Sequence, residues 1–130
     1  FDAKRSEPNF WLSCLLIDRQ AMCQQVRSDD QALYISEAGK SCPTEILEAL
    51  ARYNAEGRPI WKPMHMQPIF RMHDFVTAQG SGRASTNAYI AGGLKNVGED
   101  IFERGLCLPS DNKMTEEEQM QIIKIVKSCF

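Results

Sequence analysis

Long apolar runs are missing from this sequence, and so is a strong charge of either sign. No stretch approaches the roughly 20 apolar residues that a helix needs to cross a membrane. With 15 Lys and Arg against 17 Asp and Glu, the net charge is −2, so no global field attracts nucleic acid or an anionic membrane. The first residues lack the charge order and the apolar block of a signal peptide. These features predict a soluble cytoplasmic protein without a nucleic-acid or membrane partner.

Paired cysteine motifs are also absent. The cysteines are five in number, scattered, and include no C-x-x-C pair: Cys14, Cys23, Cys42, Cys107 and Cys129. A disulfide framework or a zinc site is therefore not expected, whereas small buried thiols in a reducing compartment are. Cys107 has no adjacent His or cation, which favours packing over nucleophilic chemistry.

The composition that remains is typical of one globular domain. Of the 130 residues, 43% are hydrophobic and 25% are charged, which predicts a single domain over 1–130. Position 1 is not Met, which suggests that the chain was cut from a longer protein. The nearly continuous apolar run Phe10–Ile17 predicts a central strand. Residues 18–41 are polar and weakly patterned apart from Ala32–Ile35, and predict a loop with at most a short helix.

Three helices are predicted farther along the chain. The first is capped at Ser41 or Cys42 and ends at Gly57, and the second spans Val97–Arg104 before Gly105. The third begins with a capping box at Thr115-Glu-Glu-Glu118 and runs to about Lys127. Helical spacing assigns these side chains to the core: Ile46, Leu47, Leu50, Ala51, Ile122, Ile123 and Val126.

A brief buried strand, Leu106–Leu108, is expected between the last two helices, before Pro109. The alternation of strands and helices predicts an α+β fold, in which helices pack on a small, mostly antiparallel sheet. Residues 71–96 are rich in Gly, Ser, Thr and Asn and are predicted to form a long flap, where Arg83 could contact an anion.

The best candidate for a site is the segment Arg58–Phe70. Its prolines at 59, 63 and 68 exclude a helix interior and predict extended, rigid chain at a sheet edge or in a loop. Between them lie five side chains suited to substrate binding: Arg58, Trp61, Lys62, His65 and Gln67. The cations suit a diphosphate, and the two rings suit a sugar or base.

The same segment also has a purely structural interpretation. In it Trp61 is a core residue, Arg58 and Lys62 are solvated, and a backbone carbonyl satisfies His65. From composition alone this interpretation is favoured. His65 and His73 could share a metal in principle, but no carboxylate or cysteine stands beside them at a helical ligand spacing, so no metal site is predicted.

Two motifs carry a resemblance to a known family. Arg58-Pro-Ile-Trp-Lys-Pro-Met-His-Met-Gln-Pro-Ile-Phe70, followed by Glu99-Asp-Ile-Phe-Glu-Arg-Gly-Leu-Cys-Leu-Pro-Ser110 and a terminal capped helix, resembles the C-terminal part of the DegT/DnrJ/EryC1/StrS family of pyridoxal-phosphate-dependent sugar aminotransferases. Asn9-Phe-Trp-Leu is similar to the strand that begins the family's small domain. The similarity covers most of residues 8–130.

The resemblance implies a fold and an activity. It implies the small C-terminal domain of a fold-type-I aminotransferase, which moves an amino group, usually from glutamate, onto a nucleotide-linked keto-sugar within a homodimer. Pyridoxal 5'-phosphate and its lysine would belong to a large domain absent from this chain, so the isolated chain is expected to be inactive. Among the candidate residues, His65 would lie nearest the reacting sugar, with Lys62 and Trp61 at the mouth of the pocket. The alternatives are a non-catalytic small-molecule-binding or regulatory domain and a protein-interaction domain.

Overall fold

A computed structural model describes residues 4–27, 31–70, 73 and 97–130. In chain order the elements are β1 (Cys14–Leu16), β2 (Gln24–Arg27), β3 (Ala32–Ile35), α1 (Pro43–Arg52), β4 (Arg58–Pro59), α2 (Val97–Arg104), β5 (Gly105–Cys107) and α3 (Glu116–Lys127). The chain forms two compact units, one of Phe1–Pro59 with Arg104–Phe130 and one of Ile60–Glu103. Short antiparallel sheets and packed helices confirm the predicted α+β class.

The main sheet of the first unit has the strand order β1-β5-β4 and is antiparallel. The central strand is β5, which is fully buried, as predicted for the region of Leu106. The prediction of a central strand over Phe10–Ile17 is wrong. Only Cys14–Leu16 form a strand, it lies at the sheet edge, and Phe10 is 80% exposed. Phe10 has a φ of 54°, a left-handed conformation in which an extended strand cannot continue.

The region 18–41 contains a hairpin that sequence analysis missed. A 3₁₀ turn at Arg19–Ala21 precedes β2, which pairs with β3 in antiparallel register. On the face of the hairpin that is turned toward α1, the Tyr34 hydroxyl donates a hydrogen bond at 2.9 Å to Oε2 of Glu48, a residue of α1. On the other face Val26, Leu33 and Ile35 are 66%, 59% and 65% exposed. These strands have four residues each, too short for alternation to stand out from a polar background.

The predicted helices are present, with one corrected boundary. Pro43 is the first residue of α1, and the helix ends at Arg52 rather than at Gly57. Asn54 makes the left-handed turn, with a φ of 57°. Gly57 has a packing role instead, because an added Cβ there would lie 2.8 Å from Leu47 Cδ2 and 3.2 Å from the Cys107 carbonyl oxygen.

The other two helices follow their sequence signals. α2 spans Val97–Arg104 as predicted. At α3, the backbone N–H of Glu118 donates to Thr115 Oγ1 at 3.2 Å, and the backbone N–H of Thr115 donates to Glu118 Oε2 at 2.8 Å. The predicted capping box is therefore confirmed. α3 has 12 residues, and no helix in the described parts of the chain is long and apolar enough to cross a membrane.

The core lies between the sheet and the two helices of the first unit. Its buried cluster contains Ile17, Ile46, Leu50, Leu106 and Ile125. The predicted inner positions Leu47, Ile122 and Val126 pack against this cluster with partial burial.

Two of the predicted core positions are wrong. Ala51 is exposed and Ile123 is 37% exposed, because the buried side of α3 centres on Ile125. The expectation of buried thiols holds for Cys23, Cys42 and Cys107, whereas Cys129 is half-buried and Cys14 is exposed. Apart from His73, the predicted flap over residues 71–96, including Arg83, lies outside the described residues.

Candidate functional site

The five predicted site residues fall in both units. Arg58 belongs to the first unit, on the edge strand β4 and directly opposite Cys107 of β5. Its guanidinium forms an ion pair with Glu56, and its side chain is 73% exposed. Arg58 is therefore a solvated cation at a sheet edge. Trp61, Lys62, His65 and Gln67 belong to the second unit.

Prolines organise the segment that holds these four residues. Pro63 precedes a 3₁₀ turn at Met64–Met66, and a second 3₁₀ turn spans Pro68–Phe70. The backbone N–H of Met66 donates to the Pro63 carbonyl at 2.9 Å, and that of Gln67 donates to Met64 at 3.0 Å. Because proline fixes φ on both sides of the first turn, the turn holds its side chains in defined directions. The segment contains no α-helix, as predicted, but beyond the short strand β4 it forms two 3₁₀ turns where extended chain was expected.

Gln67 closes the turn from its far end. Its side-chain Nε2 donates to the backbone carbonyl of Lys62 at 3.3 Å. This bond links the two ends of the segment 62–67 and engages one of the amide's two N–H donors. The side-chain oxygen and the second donor are the groups that Gln67 could offer to a ligand.

His65 lies in the middle of the first 3₁₀ turn and is half-buried. Burial lowers the pKa of its imidazole below the ordinary 6.5, and the negative charge of Glu99 partly opposes this effect. The imidazole is therefore mostly neutral at pH 7, with one nitrogen that accepts and one that donates. A neutral imidazole of this kind can hydrogen-bond to a hydroxyl or carbonyl oxygen of a ligand.

Glu99 is the residue that sequence analysis missed. It lies in the first turn of α2, in the same unit as His65, and is only 7% exposed. An acidic residue in the first turn of a helix is ordinarily exposed to solvent, where its negative charge interacts favourably with the helix dipole. No feature of the sequence separated Glu99 from its neighbour Asp100, which is half-buried. Among the described residues of this unit, Glu99 is a buried carboxylate whose negative charge acts on the His65 imidazole.

Trp61 and Lys62 precede the turn. Trp61 is 60% exposed, so the alternative in which its indole belongs to the core is wrong. Lys62 is half-buried. One stiff stretch of chain thus carries an accessible aromatic face, an ammonium group and a neutral imidazole. This set of groups suits a ligand that combines anionic oxygens with a flat or polyhydroxylated ring.

The described residues do not form a cradle for pyridoxal phosphate. None of the lysines in this part of the chain is buried, and Lys40 pairs with Glu37 at 2.7 Å. At the start of α1, Pro43 has no N–H to offer a phosphate, and the Glu45 carboxylate accepts from Ser41 Oγ at 2.8 Å. Within the described ranges, no three His, Cys, Asp or Glu side chains are grouped so that they could hold a metal ion.

A separate open pocket lies in the first unit, next to α3 and the chain after α1. Its volume is about 530 Å³, and it is lined by Tyr53, Asn54, Ala55, Glu56, Pro109, Asp111, Lys113, Met114, Glu118, Gln121, Ile122 and Ile125. Its three carboxylates already have partners: Glu56 pairs with Arg58, Glu118 closes the capping box, and Asp111 accepts from the backbone N–H of Lys113 at 2.9 Å.

Comparison with known proteins gives an informative match. No family model matches the chain. Over 88 residues the chain is 39% identical to a protein of Bacillus subtilis (strain 168) named "Putative pyridoxal phosphate-dependent aminotransferase EpsN". The match covers 68% of this chain and 19% of that protein, so the chain corresponds to a minor part of the relative's length. This similarity supports an aminotransferase family for the chain.

Proposed function

We propose that this chain is the C-terminal part of a pyridoxal-phosphate-dependent aminotransferase that acts on a nucleotide-linked keto-sugar in polysaccharide or modified-sugar biosynthesis. The observation that carries the proposal is the 39% identity to a protein named as an aminotransferase, over 68% of the chain. The resemblance of Arg58–Phe70 and Glu99–Ser110 to the sugar aminotransferases supplies the substrate class. The proposal assigns a cytoplasmic location to the full-length protein.

In this proposal, the chain contributes to the reaction by orienting the substrate. Lys62 suits the diphosphate of a nucleotide-sugar, and the exposed indole of Trp61 suits the face of a base or sugar. His65, held in a proline-flanked turn, would donate to or accept from an oxygen of the sugar ring near the reacting carbon. Fixing the substrate in one orientation removes part of the entropic cost of the transfer step. Gln67 holds the turn, and Arg58, which is exposed and paired with Glu56, would contribute a positive charge.

The cofactor would be held outside this chain. When bound, pyridoxal phosphate carries the amino group from the donor, glutamate in this proposal, to the keto-sugar. The described residues lack a buried lysine and a phosphate cradle, so no step of the cofactor's chemistry is assigned to them. The isolated chain is accordingly expected to be inactive.

A second function, protein association, is favoured by one specific observation. Val26, Leu33 and Ile35 form an exposed apolar face on the β2–β3 hairpin, and each is more than half exposed. Exposed apolar patches commonly mark interfaces. Within the proposed enzyme this face would be covered in the homodimer, whereas a stand-alone interaction domain would use it for another protein.

The test uses the full-length protein that contains this chain. The protein is mixed with pyridoxal phosphate, and the absorbance of the bound cofactor is recorded before and after glutamate. A nucleotide-linked keto-sugar is then added, and the aminated product is identified by mass. We expect a cofactor band that glutamate bleaches and an amino-sugar product. A full-length protein that binds no cofactor would exclude the proposal. Bleaching without any amino-sugar product would retain the aminotransferase and exclude the sugar substrate.

A further inference from the structure

Two cysteines face each other across the main sheet of the first unit. Cys14 of β1 is the direct register partner of Cys107 of β5, and their Sγ atoms are 3.8 Å apart. The two residues are 93 positions apart in the sequence, so only the folded sheet brings them together. Directly opposed residues in an antiparallel pair project from the same face of the sheet. The two thiols are therefore neighbours on one face.

The backbone hydrogen bonds define what kind of pair this is. The N–H of Leu108 donates to the Ser13 carbonyl at 2.9 Å, and the N–H of Ile17 donates to the Arg104 carbonyl at 3.0 Å. Hydrogen-bonded and non-hydrogen-bonded pairs alternate along an antiparallel ladder, so Cys14 and Cys107 form a non-hydrogen-bonded pair. In such pairs the Cα atoms are about 4.5 Å apart, which lies within the range that a disulfide spans.

The two thiols differ in accessibility. Cys14 is exposed on the edge strand, whereas Cys107 is 2% exposed on the central strand. Burial, followed by the contact with Cys14, raises the pKa of the Cys107 thiol to about 11. Cys107 is therefore protonated at neutral pH in the reduced protein, and dissolved reagents do not reach it directly. This is the arrangement of an attacking thiol that solvent reaches and a resolving thiol next to it.

The described residues contain a contrasting pair of thiols. Cys23 is 4% exposed and Cys42 is fully buried. Burial raises the pKa of Cys23 to about 12, and the nearby Cys42 thiol adds to the shift. A dissolved oxidant cannot reach either sulfur in the folded chain, so this pair is an internal control for the effect of access.

We propose that Cys14 and Cys107 are a dithiol modification site that a low-molecular-weight disulfide, such as oxidised glutathione, converts reversibly into an intramolecular disulfide. Cys14 loses its proton and attacks one sulfur of the small disulfide. That S–S bond breaks, and one small thiol leaves with the proton. Cys107 then loses its proton and attacks Cys14 Sγ, so that the protein disulfide forms and the second small thiol leaves. The two protein thiols are oxidised by two electrons, and the small disulfide is reduced to two thiols.

The test is oxidation of the reduced, folded full-length protein with oxidised glutathione, followed by peptide mapping under non-reducing conditions. We expect a peptide that contains Cys14 to be linked to one that contains Cys107, and dithiothreitol to release both. Cys107→Ala should instead accumulate glutathione on Cys14, at a level at least about tenfold above that of the unchanged protein, because the resolving thiol is missing. Cys14→Ser, at an exposed position, should abolish the linked peptide.

Cys129→Ser is the matched control, since its thiol is half-buried and the groups that act on it are Glu45, Arg52 and Cys42 rather than Cys14 or Cys107. This variant should form the Cys14–Cys107 link as the unchanged protein does. The proposal is overturned if glutathione stays on Cys14 in the unchanged protein without transfer to Cys107. It is equally overturned if the linked peptides come from Cys23 and Cys42.

Discussion

Replacing His65 with alanine separates a binding role of the imidazole from a structural one. The residue lies between Pro63 and Pro68, and the turn around it is closed by backbone bonds and by Gln67. The hydrogen bonds Met66 N–H to Pro63, Gln67 N–H to Met64 and Gln67 Nε2 to Lys62 come from the backbone and from Gln67, so the turn should persist in His65→Ala. In the full-length protein we therefore expect slower turnover of the keto-sugar with an unchanged cofactor spectrum.

The expected magnitude follows from what the substitution removes. A hydrogen bond to a charged or strongly polarised substrate oxygen contributes about 1.5–3 kcal/mol, which corresponds to a loss of about 10- to 150-fold in kcat/KM. The free energy of unfolding should change by less than about 1 kcal/mol, because a half-buried side chain without a core position loses little packing.

The assay measures turnover and thermal unfolding on the same preparation. His73→Ala is the matched control, because His73 is the other histidine of the chain and is exposed. It should leave both readouts unchanged. A His65→Ala protein that unfolds about 1–3 kcal/mol more easily but turns over normally per folded molecule would refute the role assigned to the imidazole.

The pH dependence of stability provides an independent readout for the same residue. Burial lowers the pKa of folded His65, whereas the unfolded chain keeps the ordinary value of 6.5. Between these two values the unfolded state binds more protons. The contribution of His65 to stability is therefore fully present above pH 6.5, is lost as the pH falls through the lowered pKa, and is constant below it. His65→Ala should lack this part of the pH profile in urea unfolding, and an identical profile would contradict the shift.

Three further predictions concern stability and the isolated chain. Leu50→Ala, at a fully buried position, should lower the free energy of unfolding by about 2–5 kcal/mol. Leu33→Ala, on the exposed hairpin face, should change it by less than about 0.5 kcal/mol. Equal losses of stability in the two variants would contradict the assigned core. Thr115→Ala should lower the free energy of unfolding, measured by chemical denaturation, by about 1 kcal/mol, and Thr115→Ser should lower it by much less. An unchanged stability of Thr115→Ala would show that the capping box is dispensable. Borohydride reduction of the isolated chain with pyridoxal phosphate should trap no single lysine, and stoichiometric trapping at one position would contradict the assignment of the cofactor to another part of the protein.

Local signals in the sequence were sufficient for the helices, apart from the end of α1. The start of α3 is marked by the capping box of Thr115 and Glu118, and the end of α2 is marked by Gly105 after Arg104. Each signal acts within one helical turn, and both helix boundaries agree with it. Pro63 and Pro68 act equally locally, so the absence of an α-helix from this segment was predictable, although its two 3₁₀ turns were not predicted. Each of these residues restricts its own backbone or caps its own helix, whatever the rest of the chain does.

The pairing of strands that are distant in the sequence could not be predicted from such local signals. Phe10–Ile17 is more apolar than Gly105–Cys107, yet the shorter segment takes the centre of the sheet. Which strand is central depends on partners 93 residues away, and no local pattern records that choice. The burial of Glu99 has the same origin, because tertiary packing rather than its position in α2 decides its exposure.

The strand order also has a consequence for how the protein tolerates changes of length. Pro59 of β4 and Leu106 of β5 are direct register partners. The chain therefore leaves the sheet after Pro59 and re-enters it at a neighbouring position. The whole unit Ile60–Glu103 stands between them in the sequence, where an ordinary hairpin would have a few residues. A doubling of the length of such a connection costs only about 0.6 kcal/mol of closure entropy. Insertions and deletions between these points should therefore accumulate during divergence without loss of the first unit, and an engineered domain inserted there should be accepted by the sheet.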